Sequence, residues 1–147
     1  MPIITEVSLA YKASHPVETL PTITSPVEAA EYLRSIWDQD TLELREEFLV
    51  VLLNNAKKVL GWSRVSIGGS TATIVEPSAV FQLALLGKAD SIICAHNHPS
   101  GTLKASSADI SLTRRIKEAG KLLGITLDDH IIITQSGYLS LSEERLI

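Results

Sequence analysis

The stretch that most constrains this chain is Asp90-Ser91-Ile92-Ile93-Cys94-Ala95 running directly into His96-Asn97-His98-Pro99-Ser100-Gly101. Its first half is a short β-rich apolar run, which predicts a buried strand, and Pro99 with Gly101 ends it. His96 and His98 therefore stand at the carboxyl end of a strand. Residues i and i+2 share a face, so two imidazoles about 7 Å apart along the backbone can converge above the sheet edge. A helix is expected next, from Ser106 to Leu123, with Ile110, Thr113, Ile116, Gly120 and Leu123 on one side and Arg114, Lys117, Glu118 and Lys121 on another.

Ser106 is a natural N-cap for that helix, and Asp109 falls in its first turn, where a carboxylate can point back across the loop at the two histidines. Three protein ligands of the types His, His and Asp leave zinc a fourth position for water, the open arrangement of a catalytic site. The single cysteine, Cys94, cannot build a closed thiolate-rich structural site and reads as a small buried hydrophobe. An HxH pair alone is weak, since four His in 147 residues give it a chance count of about 0.1. Ser106 and Asp109 also fit a capping box with Asp in place of Glu, a purely structural device worth about 1 kcal/mol. The ligand reading rests on the coincidence of both histidines, the loop and the acid at places where one ion touches all three.

The pattern His96-x-His98-Pro99, then Ser106, then Asp109 resembles the HxHPx(6)SxxD core of the JAMM (JAB/MPN) metallopeptidases at every defined position. The wider string HNHPSG, with Asp129-His130-Ile131-Ile132-Ile133 downstream, is more similar to the RadC branch of that family, once named for DNA repair. The similarity runs from about Ser25 to the C terminus and takes in the Val7-to-Lys12 stretch before it. It implies a central mixed sheet flanked by helices in an α/β layering, with one zinc ion at a strand end held by His96, His98 and Asp109. It further implies that Ser106 assists at the developing oxyanion and that an upstream glutamate serves as general acid/base. Two adjacent candidates exist, Glu46 and Glu47. RadC-like sequences show Glu, any residue, then an aromatic, which selects Glu46 with Phe48. In a strand only one of two neighbours faces the site, which leaves Glu47 as a solvated surface charge. The resemblance also brings the Asp129-His130 pair near the site, with the carboxylate orienting the imidazole. A satisfied, partly buried histidine is an equal reading of His130. Ser100 and Gly101 have sufficient structural reasons to shape the loop between the ligands.

Composition sets the outer bounds. A chain of 147 residues with 45% hydrophobic content fits one globular domain and is compatible with a homo-oligomer. It has no apolar run of membrane-spanning length and no secretory signal at Met1 to Ala10, and a lone cysteine fits a reducing compartment, so the cytoplasm is expected. Thirteen basic against seventeen acidic side chains give a net charge of −4, the opposite of the footprint of a strong nucleic-acid binder. Arg114, Arg115, Lys117 and Lys121 read as a solvated helix face. Longer relatives carry a helix-hairpin-helix module before this domain, for which the chain has no room, so a short form is expected.

Ile3 to Lys12 alternates as a strand, and residues up to Thr24 read as a linker packing on the domain that follows from residue 25. Ser25-Pro26-Val27-Glu28 predicts a capping box that opens a helix to about Gln39. Phe48–Asn54 and Val59–Ile67 read as a hairpin, Pro77 to about Gly87 as a second helix, and Leu127–Thr134 with Tyr138–Leu141 as closing strands. The expected activity is amide or isopeptide hydrolysis by a zinc-activated water on an unidentified peptide or protein. A nucleobase deaminase would need HxE and two downstream cysteines, and a zincin would need HExxH; neither is present. A RadC-type DNA-repair-associated protein or metal-dependent nuclease, and a non-catalytic MPN interaction module, remain as the other readings. The first sits poorly with one mononuclear His/His/Asp site, and the second with retention of all three ligands and Ser106.

Overall fold

A computed structural model describes residues 5–68 and 75–147. Two strands form the centre because most of their side chains are apolar on both faces. These are β1 (Glu47–Leu53) and β3 (Ser91–Asn97), every residue of which is buried. The sheet continues with β2 (Val59–Ile67), β4 (Thr126–Ile133) and β5 (Tyr138–Ser140), in the order β2-β1-β3-β4-β5. Only β3 and β4 run parallel, and the other neighbours are antiparallel, so the sheet is mixed. A parallel pair needs a crossover. That crossover is the helix α3 (Ser107–Leu123), which starts directly beyond the histidine loop.

Strand alternation sorts the core into two layers. Leu49, Val51 and Leu53 of β1, with Ile93, Ala95, Ile131 and Ile133, pack against Ala29 and Leu33 of α1 (Pro26–Ile36). Phe48, Val50 and Leu52, with Ile92 and Cys94, pack instead against Val80, Phe81 and Ala84 of α2 (Pro77–Leu86) and Ile116 of α3. The result is an α/β fold with helices on both faces of a five-stranded mixed sheet. Gly120 makes the α3 packing feasible, because a Cβ at that position would overlap the Ile125 carbonyl oxygen. The turn after α3 is closed by Gly124 at φ 72°, a left-handed C-cap.

Several expectations need correction. Within the described part of the predicted N-terminal strand, residues 5–12 form no strand, and Val7 and Leu9 are 88% and 94% exposed. The alternation is there, but no sheet edge among the described residues pairs with it; Ile3 and Ile4 lie outside the described residues. Contact with the domain begins near Thr22, which bridges Lys58, and Ile23, which is buried. The first helix stops at Ile36 rather than Gln39, because Trp37 turns extended and buries its ring. Its capping box is one-sided: Ser25 Oγ accepts from Glu28 N, but the Glu28 carboxylate turns to Thr24 N and Oγ1. Leu123, expected on the inner face of α3, is 46% exposed. Among the described residues no helix is long and apolar enough to cross a membrane.

Candidate metal centre

Four side chains from three elements converge at the carboxyl end of β3. Glu46 immediately precedes β1, His96 and His98 follow one another on β3 and its loop, and Asp109 lies in the first turn of α3. One ligand atom of each lies within 4.8 Å of all the others. The segment folds this way because Phe48 pairs with His96 across the antiparallel β1-β3 ladder, which brings the residue two before Phe48 alongside the histidines. Phe48 also stacks its ring on His96 at 6.3 Å and meets His130 edge-on at 5.4 Å, holding both imidazoles from below.

Hydrogen-bond direction fixes both tautomers. His98 Nδ1 lies 2.7 Å from the carbonyl oxygen of Thr102, which can only accept, so Nδ1 carries a proton, and in the neutral ring Nε2 is the bare nitrogen. For His96 the logic takes three steps. The Thr113 hydroxyl lies 2.6 Å from the Asp109 carbonyl and must donate to it. Thr113 Oγ1 therefore accepts from His130 Nδ1 at 2.6 Å, leaving His130 Nε2 as the acceptor for His96 Nδ1–H at 2.7 Å. In the neutral ring His96 Nε2 is then bare as well. The two bare nitrogens face each other at 2.9 Å. Two lone pairs at that distance repel unless a cation sits between them.

The donor set fits a metal ion on that ground. Two imidazole nitrogens bonded to one tetrahedral zinc at about 2.0–2.1 Å lie about 3.3 Å apart. The corresponding separations here are 2.9 Å between the histidines, 3.5 Å from His96 Nε2 to Asp109 Oδ1 and 3.6 Å from His98 Nε2 to Asp109 Oδ2. Glu46 Oε1 stands further off, 4.0 Å from His96 Nε2, on a side chain that is 28% exposed. Without a metal the same field is met by protons. The Asp109 carboxylate raises His98 above its ordinary value, against the opposing effect of burial. Burial alone would push Asp109 up, but hydrogen bonds from His96 and His98 prevail and hold it far below the ordinary carboxylate range.

The capping box at the start of α3 is present in full: Ser106 Oγ accepts from Asp109 N at 3.0 Å and Asp109 Oδ2 accepts from Ser106 N at 2.9 Å. The capping reading of Asp109 holds, and the cap aims the same carboxylate at the histidines, so it leaves room for the ligand reading. Ser106 Oγ serves there as an acceptor, and its own proton remains free to donate. Ser100 bonds only within the loop, to Thr102.

Two second-layer expectations change. Glu47 is not a surface charge: its carboxylate is fully buried, with Oε1 3.0 Å from Arg45 Nε and Oε2 3.1 Å from Arg64 Nε. Asp129 does not orient the His130 ring. It lies on the opposite face of β4, where its carboxylate accepts from Ser140 Oγ and Ser142 N, and only the backbone N–H of His130 reaches it. Thr113 takes that orienting role instead. As the one hydroxyl on the inner face of α3, four residues after Asp109, it carried a readable sequence signal. His130 is fully buried, and burial holds its pKa well down, which keeps the ring neutral as the relay requires.

Fold and site together define an α/β domain of the JAB/MPN type with a candidate metal centre at a strand end. The chain belongs to the RadC-like JAB domain family, whose model matches residues 23–146. It is similar to the UPF0758 protein of Salinibacter ruber, 38% identical over 97% of this chain and 63% of that protein. The UPF0758 protein of Clostridium acetobutylicum is 42% identical over 94% of this chain and 57% of its own length. That of Shouchella clausii is 43% identical over 84% and 52%. The chain spans about half to two thirds of the length of these relatives.

Proposed function

We propose that the chain is a zinc-dependent hydrolase that cleaves an amide bond, peptide or isopeptide, in a peptide or protein substrate. One observation carries this reading: two histidines whose Nδ1 atoms are committed as donors turn their Nε2 atoms towards an aspartate and a glutamate, all within 4.8 Å. His96, His98 and Asp109 would hold one zinc ion per chain. Zinc so held acts as a Lewis acid and brings the pKa of a bound water towards 7. Glu46 would take the proton of the attacking water and hand it to the leaving nitrogen, a role worth about 10² to 10⁴ in rate. The uncommitted Ser106 proton supplies a hydrogen bond to the oxygen of the scissile carbonyl as charge grows there. An acidic chain of net charge −4 favours a protein substrate over a phosphodiester.

The test is a zinc-loaded Glu46→Gln trap used to capture partners from lysate, with His98→Ala as control. A protein captured by the trap alone, and cut by the wild type, is the expected result. Identical captures by the two variants sink the metal-centred substrate site, and full turnover by Glu46→Gln with zinc retained removes Glu46 as the base.

A further inference from the structure

Between the two histidines sits Asn97, whose side chain points to the other face of β3 and is fully buried. A primary amide offers two N–H donors and an oxygen acceptor. Asn97 uses all three, and every partner is backbone of the short segment that leads into β1. Its Nδ2 donates to Leu42 O at 2.7 Å and to Arg45 O at 2.9 Å, while its Oδ1 accepts from Glu47 N at 2.7 Å. The amide orientation is unambiguous, because carbonyls can only accept and Glu47 N–H can only donate.

The β1-β3 ladder ends at Phe48 and His96. Beyond that pair the backbone that carries Glu46 is tied to the ligand strand by the Asn97 side chain, which takes the place of the next ladder bonds. Its bonds to residues 45 and 47 bracket Glu46. On the outer side the Glu46 carbonyl accepts from Gly68 N, and the buried Glu47 carboxylate draws Arg45 and Arg64 together. The ligands, by contrast, ride on β3 and α3 and need none of these contacts.

We propose that Asn97 is a positioning residue for Glu46: it sets the distance of the base from the metal ligands without touching either. The assignment rests on the metal-hydrolase reading of the site. Alternation along β3 makes the arrangement economical, since His96 and His98 face the ion while the residue between them fixes the base-bearing segment on the opposite face.

Hydrogen exchange and a double-mutant cycle on the cobalt(II)-substituted chain test this. In the wild type the Glu47 amide should exchange as slowly as the core amides of β1; exchange at loop rates overturns the proposal, whatever the variants do. In Asn97→Ala that amide should exchange at least about tenfold faster, with cobalt affinity within about twofold of wild type. The visible cobalt spectrum supplies the readout that loose packing alone would not move. Asn97→Ala should shift it in the same sense as Glu46→Gln, and the double variant should add nothing to Glu46→Gln. Additive shifts, or a wild-type spectrum in Asn97→Ala, overturn the assignment. A wild-type chain that takes up no cobalt removes the reading beneath it, and the proposal falls with that reading. An inert trap beside a non-additive cycle instead faults the hydrolase reading and leaves Asn97 as the residue that places Glu46.

Discussion

At the residue scale the site is governed by who can donate and who can only accept. The relay from His96 through His130 to Thr113 and the Asp109 carbonyl leaves one imidazole nitrogen bare, and it depends on a single hydroxyl. Thr113→Val, which removes that hydroxyl at nearly constant volume, should weaken zinc binding about 10- to 100-fold in chelator competition, while Thr113→Ser stays close to wild type. Imidazole ¹⁵N shifts of His96 should show Nδ1 protonated in the wild type and a mixture in the valine variant. Cys94, on the face of β3 shared with His96, is buried and its thiol is pushed well up by that burial. It should resist a disulfide thiol reagent at neutral pH until the chain is unfolded. Glu47→Gln should cost about 1–3 kcal/mol in denaturant unfolding, since it leaves Arg45 and Arg64 with weakened hydrogen bonds but still in reach of water.

At the scale of elements, α3 does three tasks with one first turn. Its cap satisfies free N–H groups, its third residue faces the two histidines, and its Thr113 closes the relay. Ser106→Ala should therefore lower thermal stability by about 1 kcal/mol in the metal-free chain. Further along, Gly120→Ala gains helix propensity of about 1 kcal/mol but drives a methyl into the Ile125 carbonyl, a backbone atom that cannot swing aside. Overpacking of this kind costs about 1–3 kcal/mol, so the net change in unfolding free energy should be a loss. The middles of β1 and β3, residues 49–53 and 92–95, are apolar on both faces and need no such devices. Their places in the sheet follow from burial alone.

At the scale of the whole molecule, stability is linked to what occupies the site. In the metal-free chain Asp109 and His98 form one ion pair, seen from two sides. The depressed Asp109 contributes above its ordinary value of 3.8 and is lost as pH falls through its lower folded value. The raised His98 contributes fully below its ordinary 6.5 and is lost as pH rises through its higher folded value. Melting temperature in chelator should thus form a plateau between these limits and decline above neutrality. With zinc in excess the decline should vanish, because metal binding takes the ligands deprotonated and grows stronger as pH rises. Coincident curves with and without zinc would contradict a metal site at this position. What the sequence by itself determined was local: an apolar strand into His-x-His and a capped helix with Asp109 in its first turn. Those features depend on periodicity and near neighbours, which a linear string displays. The tertiary structure decided the rest, because the deciding contacts join residues far apart in the chain. Glu47 is buried by Arg64 from the next strand, His130 is oriented by Thr113 from the crossover helix, and Asn97 ties down a segment 50 residues away. The alternation of Val7, Leu9 and Tyr11 looks like a strand, yet a strand exists only where another edge supplies its hydrogen bonds.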